Sequence, residues 1–545
     1  MSGIPLDRSE VHPDTLKAWS MHMGATGLDP VEVRHRLGAG TLPAAFSDSA
    51  RRRPDFAAIS IDDRSMSHGE LDAAAARAAA GLERLGAAPG RVVMLIAETG
   101  MDQVIAYLGV LRTGATVVLV NPSLTPVEVG RMAADSDASW VVGSGPALEG
   151  ASRAGFSLVE EIVGLRPDDR HASSVLLTDL PADEGPVPSI DPDSPAILAF
   201  TSGTTGRPKC APLSHRNLLA SIRGVMWAWR WREDDHLVHT LPLSHQHGLG
   251  GIHATLLGGS RATLLERFDA ELVMATVLDV EASVMFAVPT IHERLLANLG
   301  PRAAGLGRLR LITSGSAPLS ADLARRVEDV VGQVPVERYG TTESGLDVSN
   351  PYIGTRIPGA VGLPLPGVEV SLVGDDGDPM ETGTVGEVVV RGPQVFAGYL
   401  GVERGGGAFL HDWFRTGDIG VRDEESGYLR LVGRSKEVII TGGMNVYPRE
   451  VEEALRSVRG LSDIAVVGVP SERWGEEVVV FVSPADLRPQ EVAELASQRL
   501  AGYKRPKRIY TLDQIPRSPM GKVLGQDLVD LARTGDGWPS PPGGI

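Results

Sequence analysis

The chain has 545 residues, 42% hydrophobic and 22% charged, with a formal net charge of −17. That length is too great for one compact core and implies two or more domains of ordinary globular composition. The negative balance excludes a basic face for nucleic acid or anionic membrane. The single cysteine, Cys210, excludes an intrachain disulfide or a multi-cysteine metal site, and no apolar run reaches the ~18–20 residues of a membrane span.

Residues 1–40 read as an extension with one helix before Gly38-Ala39-Gly40. The polar, acidic N-terminus is no signal peptide, so a cytoplasmic enzyme is expected. From Leu42 onward, helical patterns alternate with short β-rich runs, the signature of an α/β domain. Ser67-x-x-Glu70 is a capping box opening an Ala-rich helix to about Leu85. VVMLIA (92–97), a helix near 101–112 and TVVLV (116–120) form a βαβ-like unit. The strand series continues through WVVG (140–143), ILAFTS (197–202), TLPL (240–243), ATLLE (262–266), SVMFAV (283–288) and LRLITSG (309–315). The 145–192 stretch reads as loosely structured, and PADEGPVPSIDPDSP as a linker or surface loop.

After about 355 the pattern turns to alternating β, in VEVSLV (368–373), GEVVVRG (386–392) and GYLRLVGR (427–434). A short α/β region closes the chain: helix 448–458, strands 464–469 and 478–482, and helix 489–501. The expected fold is α/β. A large N-terminal domain (1–434) holds two βαβ-type subdomains and a β-rich one, and a small mobile α+β lid domain spans 435–545.

Only six of the 52 Lys+Arg residues are lysines: Lys17, Lys209, Lys436, Lys504, Lys507 and Lys522. In so arginine-rich a chain, a retained lysine marks a place where a compact, mobile charge suits better than a planar fork. Three of the six lie in glycine-bearing stretches. The first, Thr201-Ser202-Gly203-Thr204-Thr205-Gly206-Arg207-Pro208-Lys209, combines hydroxyls, glycines and a lysine after an apolar strand. Glycines let backbone N–H groups face an anion and hydroxyls add donors. It is not a Walker A loop, because its glycine spacing differs and Pro208 stands where that motif needs helix. Cys210, next in line, reads as a small buried strand residue.

This stretch resembles the phosphate loop of the adenylate-forming superfamily, and the resemblance extends over residues 42–530 with the other motifs in order. It implies an acyl-CoA synthetase that uses ATP, Mg²⁺ and coenzyme A on a small-molecule carboxylic acid. Glu337-Arg338-Tyr339-Gly340-Thr341-Thr342-Glu343-Ser344 is similar to the adenine-and-magnesium motif. By that resemblance Tyr339 stacks on adenine, Thr342 bonds the α-phosphate and Glu343, with Thr204, holds Mg²⁺. Ser314-Gly315-Ser316-Ala317-Pro318 matches the adenine-lining loop, with Gly315 toward the acid. Asp418, in FRTGD, matches the ribose-binding aspartate, and Arg434 reaches the same nucleotide. Lys436 falls at the family hinge. Gly442, Gly443 and Asn445 match the segment along the pantetheine tunnel, and Lys522 matches the lysine of the first half-reaction.

Five histidines cluster at 236–253. His245-x-His247 on a strand puts both rings on one face and invites a metal, but no cysteine or third ligand accompanies them. By resemblance His245 and His247 line the acyl pocket. Arg267 aligns with a contact to the CoA nucleotide or is a plain surface residue. Thr290-x-x-Glu293 reads as a capping box that puts Arg294 in a first helical turn, where an anion is favoured. Malonyl-CoA synthetases carry a similar arginine for a distal carboxylate, PTIHE also resembles oxalate–CoA ligases, and a helix-surface role is the plain alternative. Asp347 near such a pocket would repel a second carboxylate. The acceptor is coenzyme A or a carrier protein. The rival expectation is an adenylating or thioesterifying enzyme of a natural-product pathway acting on an aryl or bulky polycyclic acid.

Overall fold

The computed structural model describes residues 11–146, 148, 161–165, 168–169, 175–177, 188–201, 209–374, 376–402, 407–442, 444–471, 473–518, 522–535 and 538–539. Residues 181–187 of PADEGPVPSIDPDSP therefore lie outside the described residues. The larger part of the chain is α/β, built on a nine-stranded and a seven-stranded sheet with a five-stranded β layer beside them.

The nine-stranded sheet is parallel at its centre. There Val336–Tyr339, Leu311–Ser314, Val284–Ala287, His236–His239, Arg261–Leu264 and Ala57–Ile61 lie side by side. Short antiparallel strands close both edges. These central strands are short and almost wholly buried, as expected where helices cover both faces of a parallel sheet. The seven-stranded sheet pairs Val92–Ile96 with Thr116–Val120 and Trp140–Gly143 in parallel. It ends in the antiparallel hairpin of Pro195–Thr201 with Lys209–Ser214. The helix His68–Arg84 opens with the reciprocal Ser67/Glu70 capping box read from the sequence.

The smaller C-terminal part carries its own six-stranded sheet with helices Pro448–Leu455, Pro489–Arg499 and Gly525–Thr534. Its hydrophobic core starts at Ile439, whereas Leu429 still belongs to the core of the larger part. Among the described residues no helix is long and apolar enough to cross a membrane.

Two elements differ from the sequence reading. The 240–243 run is not a strand; the strand is His236–His239, and the chain then turns into the helix Gln246–Gly258. The extension holds two helices, not one: Pro13–Met23 and Pro30–Gly38. Both are tied down. Trp19 is fully buried and its indole Nε1 donates to the Val368 carbonyl at 2.9 Å. Arg34 pairs with buried Glu369, which Arg391 holds from the other side at 2.8 Å. Arg223 donates to the carbonyls of Arg36, Leu37 and Ala39 (3.2, 3.0 and 2.7 Å), satisfying the end of the second helix. The extension is thus a strap across the β-rich layer and the helix His215–Ala228.

Trp19→Ala should lower the stability of the larger part by about 3–5 kcal/mol, the usual cost of emptying a buried aromatic site. Denaturant unfolding followed by tryptophan fluorescence measures it, and a loss below ~1 kcal/mol would show that the strap carries no load.

Candidate active site

Ligands of parallel sheets sit beyond the carboxyl ends of the strands. Here four adjacent strands deliver motif segments at that edge. His236–His239 leads to 240–247, Val284–Ala287 to Pro289, Leu311–Ser314 to Gly315-Ser316-Ala317, and Val336–Tyr339 to Gly340-Thr341-Thr342-Glu343. The hairpin carrying Thr201 and Lys209 comes from the other sheet. Residues Ser202, Gly203, Thr204, Thr205, Gly206 and Gly443 lie outside the described residues.

The nucleotide side is closely knit. The Tyr339 hydroxyl donates to Asp418 at 2.7 Å, and Arg434 Nε lies 2.9 Å from the other oxygen of that carboxylate. Lys522 feels the charges of Arg434, Glu437 and Asp418. Its ammonium is held below the ordinary lysine range, first by loss of water and then by Arg434. Lys522 is anchored by its backbone, with the Ser518 amide donating to its carbonyl at 2.7 Å. Gly340 has no room for a side chain, since a Cβ there would lie 1.9 Å from the Gly345 carbonyl. Thr341 and Ser344 share a hydroxyl contact of 2.9 Å. Glu343 is almost buried, and Tyr399 donates its hydroxyl to Oε1 at 2.6 Å. Among the described residues no three His, Cys, Asp or Glu side chains converge on one metal position. A lone enclosed carboxylate fits Mg²⁺, which takes few protein oxygens and fills its shell with phosphate and water.

The acid side is built around Arg338. It is 8% exposed, its Nε and Nη2 lack hydrogen-bond partners, and among the described residues it has no ion pair. Burial lowers its pKa to about 9, so it stays charged near neutral pH. Gly315 leaves it space, because a Cβ at that position would lie 2.4 Å from Nε. His247 bonds Ser316 Oγ at 3.1 Å through Nδ1 and leaves Nε2 unpaired. Burial and then Arg338 push His247 well below the usual histidine range, so it is neutral. Ser316 holds φ +66°, a left-handed conformation that non-glycine residues rarely adopt and that clusters at functional sites. Gln246 Nε2 donates to the Thr342 carbonyl at 2.7 Å, linking the two sides.

Several expected residues stand elsewhere or differently. His245 and His247 do not share a strand face: His245 is the N-cap of the Gln246–Gly258 helix and His247 lies in its first turn. Arg294 is not in a first turn. The helix is Pro289–Ala297, with proline at its first position and Val288 as an N-cap that makes no side-chain bond. This places Arg294 in the last turn, exposed, with its guanidinium 4.6 Å over the Phe268 ring. No hydrogen bond joins it to Arg338, Ser316 or His247 among the described residues. Arg267 and Asn445 are exposed, and Lys436 is exposed in the short turn Ser435–Glu437. Gly442 adopts φ +58° and its amide donates to the Trp474 carbonyl at 2.8 Å. Glu337 is buried, takes the Leu319 amide at 3.3 Å and is raised to about 7 by burial. Asp347 is fully buried, bound by Ser344 and, at 3.0 Å, by Gln394, and shows no contact with Arg338. Cys210 is buried on its strand, and burial lifts its thiol to about 11. The sequence reading did not single out Tyr399 or Gln246; it grouped Arg338 with the nucleotide, and the structure sets that guanidinium beside Gly315 and His247.

The class this architecture defines is matched directly. Residues 46–400 match the AMP-binding enzyme family and 450–522 match the AMP-binding enzyme C-terminal domain. The chain belongs to the AMP-binding enzyme family. It is 34% identical over 504 residues to the oxalate–CoA ligase of Arabidopsis thaliana, covering 89% of this chain and 98% of that one. It is likewise 34% identical over 477 residues to a mitochondrial malonate–CoA ligase of Mus musculus, covering 80% and 81%. The crystal structure of ATP-bound MatB from Rhodopseudomonas palustris superposes with a TM-score of 0.83 at 33% identity, covering 91% of this chain and 99% of that one.

Burial raises the Asp347 carboxyl to about 7, while Ser344 and Gln394 pull it down. An acid raised in the folded state costs no stability while protonated; the cost grows from its unfolded value of about 4 up to 7 and is complete above. Asp347→Asn should therefore flatten stability against pH, gaining on the parent between pH 5 and 8. Denaturation midpoints at the two pH values test this, and a constant gap would rule it out.

Proposed function

We propose that this chain, an AMP-forming acid–CoA ligase that uses ATP, Mg²⁺ and coenzyme A, activates a short acid bearing a second carboxylate. The observation that carries the reading is the Arg338 guanidinium, buried without an ion-pair partner among the described residues. An uncompensated buried charge costs several kcal/mol. A ligand carboxylate supplies the missing acceptor and matches the planar fork. The guanidinium occupies the space beside Gly315, and neutral His247 offers Nε2 as a further polar contact, which favours a short acid. The oxalate and malonate activities named for two relatives support the same class.

In this reading one substrate carboxylate attacks the α-phosphorus of ATP in line, and the bond to pyrophosphate breaks to leave acyl-AMP. Tyr339 and Asp418 hold the adenosine, Thr342 and the 201–209 hairpin hold phosphate, and Lys522 orients the attacking carboxylate. Glu343 would hold Mg²⁺, which when bound would neutralise phosphate charge. The small domain then rotates about Lys436, a hinge-type closure, and withdraws Lys522. The coenzyme A thiol, guided by Gly442, Gly443 and Asn445, attacks the acyl carbonyl and AMP leaves. A carrier-borne phosphopantetheine arm presents the same thiol, and turnover with each acceptor separates the two.

Pyrophosphate release across a panel of short dicarboxylic, short monocarboxylic and aryl acids tests the substrate. Short dicarboxylates should lead, and Arg338→Met should raise their KM about 10- to 100-fold, the loss of a charged hydrogen bond worth ~1.5–3 kcal/mol. Without acid, the same variant should melt at a higher temperature than the parent, because an unpaired charge has gone. Preference for aryl acids, unaltered in Arg338→Met, would overturn the reading. Lys522→Ala should abolish pyrophosphate–ATP exchange yet retain thioester formation from pre-made acyl-AMP; loss of both would contradict its assigned part.

A further inference from the structure

Tyr399 stands between two groups of the ATP half-reaction. Its hydroxyl donates to Glu343 Oε1 at 2.6 Å, and its ring lies under Lys209 Nζ at 4.7 Å. The turn that carries it is tied to both neighbours. The Leu400 amide donates to the carbonyl of Cys210, next to Lys209, and the Phe396 amide donates to the Glu343 carbonyl, each at 2.9 Å. Fully buried Phe396 packs edge-on against the Tyr399 ring, centroids 4.9 Å apart at 75°. Burial and then the Glu343 charge hold the phenol well above its ordinary range, so it remains a donor. The carboxylate makes no other side-chain hydrogen bond among the described residues.

We propose that Tyr399 is a positioning residue for metal–nucleotide binding. Its hydroxyl fixes the Glu343 carboxylate with one oxygen engaged and the other left for a cation. Its ring holds the Lys209 ammonium until phosphate arrives. An exposed ammonium on an aromatic face is held weakly, so a phosphate oxyanion displaces it readily. A carboxylate already fixed loses less freedom on taking up the metal. One side chain thereby couples the metal carboxylate to the lysine of the phosphate hairpin. The inference rests on the adenylate-forming reading and is independent of which acid is activated.

Calorimetric titration of the full-length protein with ATP, with and without Mg²⁺, tests this without turnover. Tyr399→Phe keeps the ring and loses the hydroxyl. It should leave metal-free ATP affinity unchanged and cut the gain conferred by Mg²⁺ about tenfold. Tyr399→Leu should lose that gain and weaken metal-free ATP as well. AMP affinity in EDTA should be unchanged in both variants, since adenosine is held at Tyr339 and Asp418. Parent-like Mg²⁺ dependence in Tyr399→Phe would overturn the proposal. A parallel fall in AMP affinity would also overturn it, by showing a general structural role.

Discussion

Asp418 is 5% exposed, takes the Tyr339 phenol on one oxygen and Arg434 on the other, and acts on Lys522 from the far end of the chain. A buried carboxylate is tolerable only when paired and hydrogen-bonded. Here the pairing does more than satisfy Asp418. Arg434 disfavours the Lys522 ammonium beside it, while Glu437 and Asp418 favour both cations and help them share the crevice. Tyr339 and Arg434 both belong to the larger part, so in the proposed cycle Asp418 would keep these two partners without Lys522.

In the proposed function the strand Val336–Tyr339 divides recognition between its two faces. Successive side chains of a strand point opposite ways. Glu337 and Tyr339 turn toward Leu319 and Asp418, on the nucleotide side. Arg338 turns toward Gly315 and His247, on the acid side. A one-residue slip in register would exchange the two sets, so the pairing with Leu311–Ser314 and Val348–Ser349 specifies both pockets at once. The glycine at 315 and the arginine at 338 form one unit: the missing Cβ makes room for the guanidinium.

Much of this was legible where signals are local. The Ser67/Glu70 box gives the same helix start in sequence and structure because its bonds lie within four residues. The apolar runs at 92–97 and 116–120 became buried parallel strands for the same reason. The segment after His239 was not legible. Its helix, Gln246–Gly258, contains Gly248, Gly250, Gly251 and Gly258, and glycine opposes helix by about 1 kcal/mol each. Close packing decides instead: a Cβ on Gly248 would lie 2.1 Å from the Pro242 carbonyl, and one on Gly251 would lie 2.9 Å from the His239 ring. Arg338 is a different kind of case. Its motif neighbours were readable as a nucleotide site, but the lack of an ion-pair partner for its guanidinium among the described residues is a property of the folded surroundings. Arg294, favoured by motif, is not in a first turn because Pro289 takes the first helical position and Val288, not Thr290, is the N-cap, which shifts the register by two residues.

The seam between the two parts suits the proposed opening of the site. Among the described residues no apolar cluster spans it, since the core of the larger part ends at Leu429 and the next begins at Ile439. The facing groups are charged. Glu293 meets the fields of Asp463, Arg456 and Arg517, and Glu337 meets those of Arg449 and Glu453. Burial raises Glu452 of the small domain to about 7. Polar seams of this kind favour relative motion of domains, because water can replace each contact on separation. An apolar seam would lock Lys522 against the nucleotide after adenylation and bar the thiol from the acyl carbon. A seam of charged groups would instead yield between the two steps of the proposed cycle.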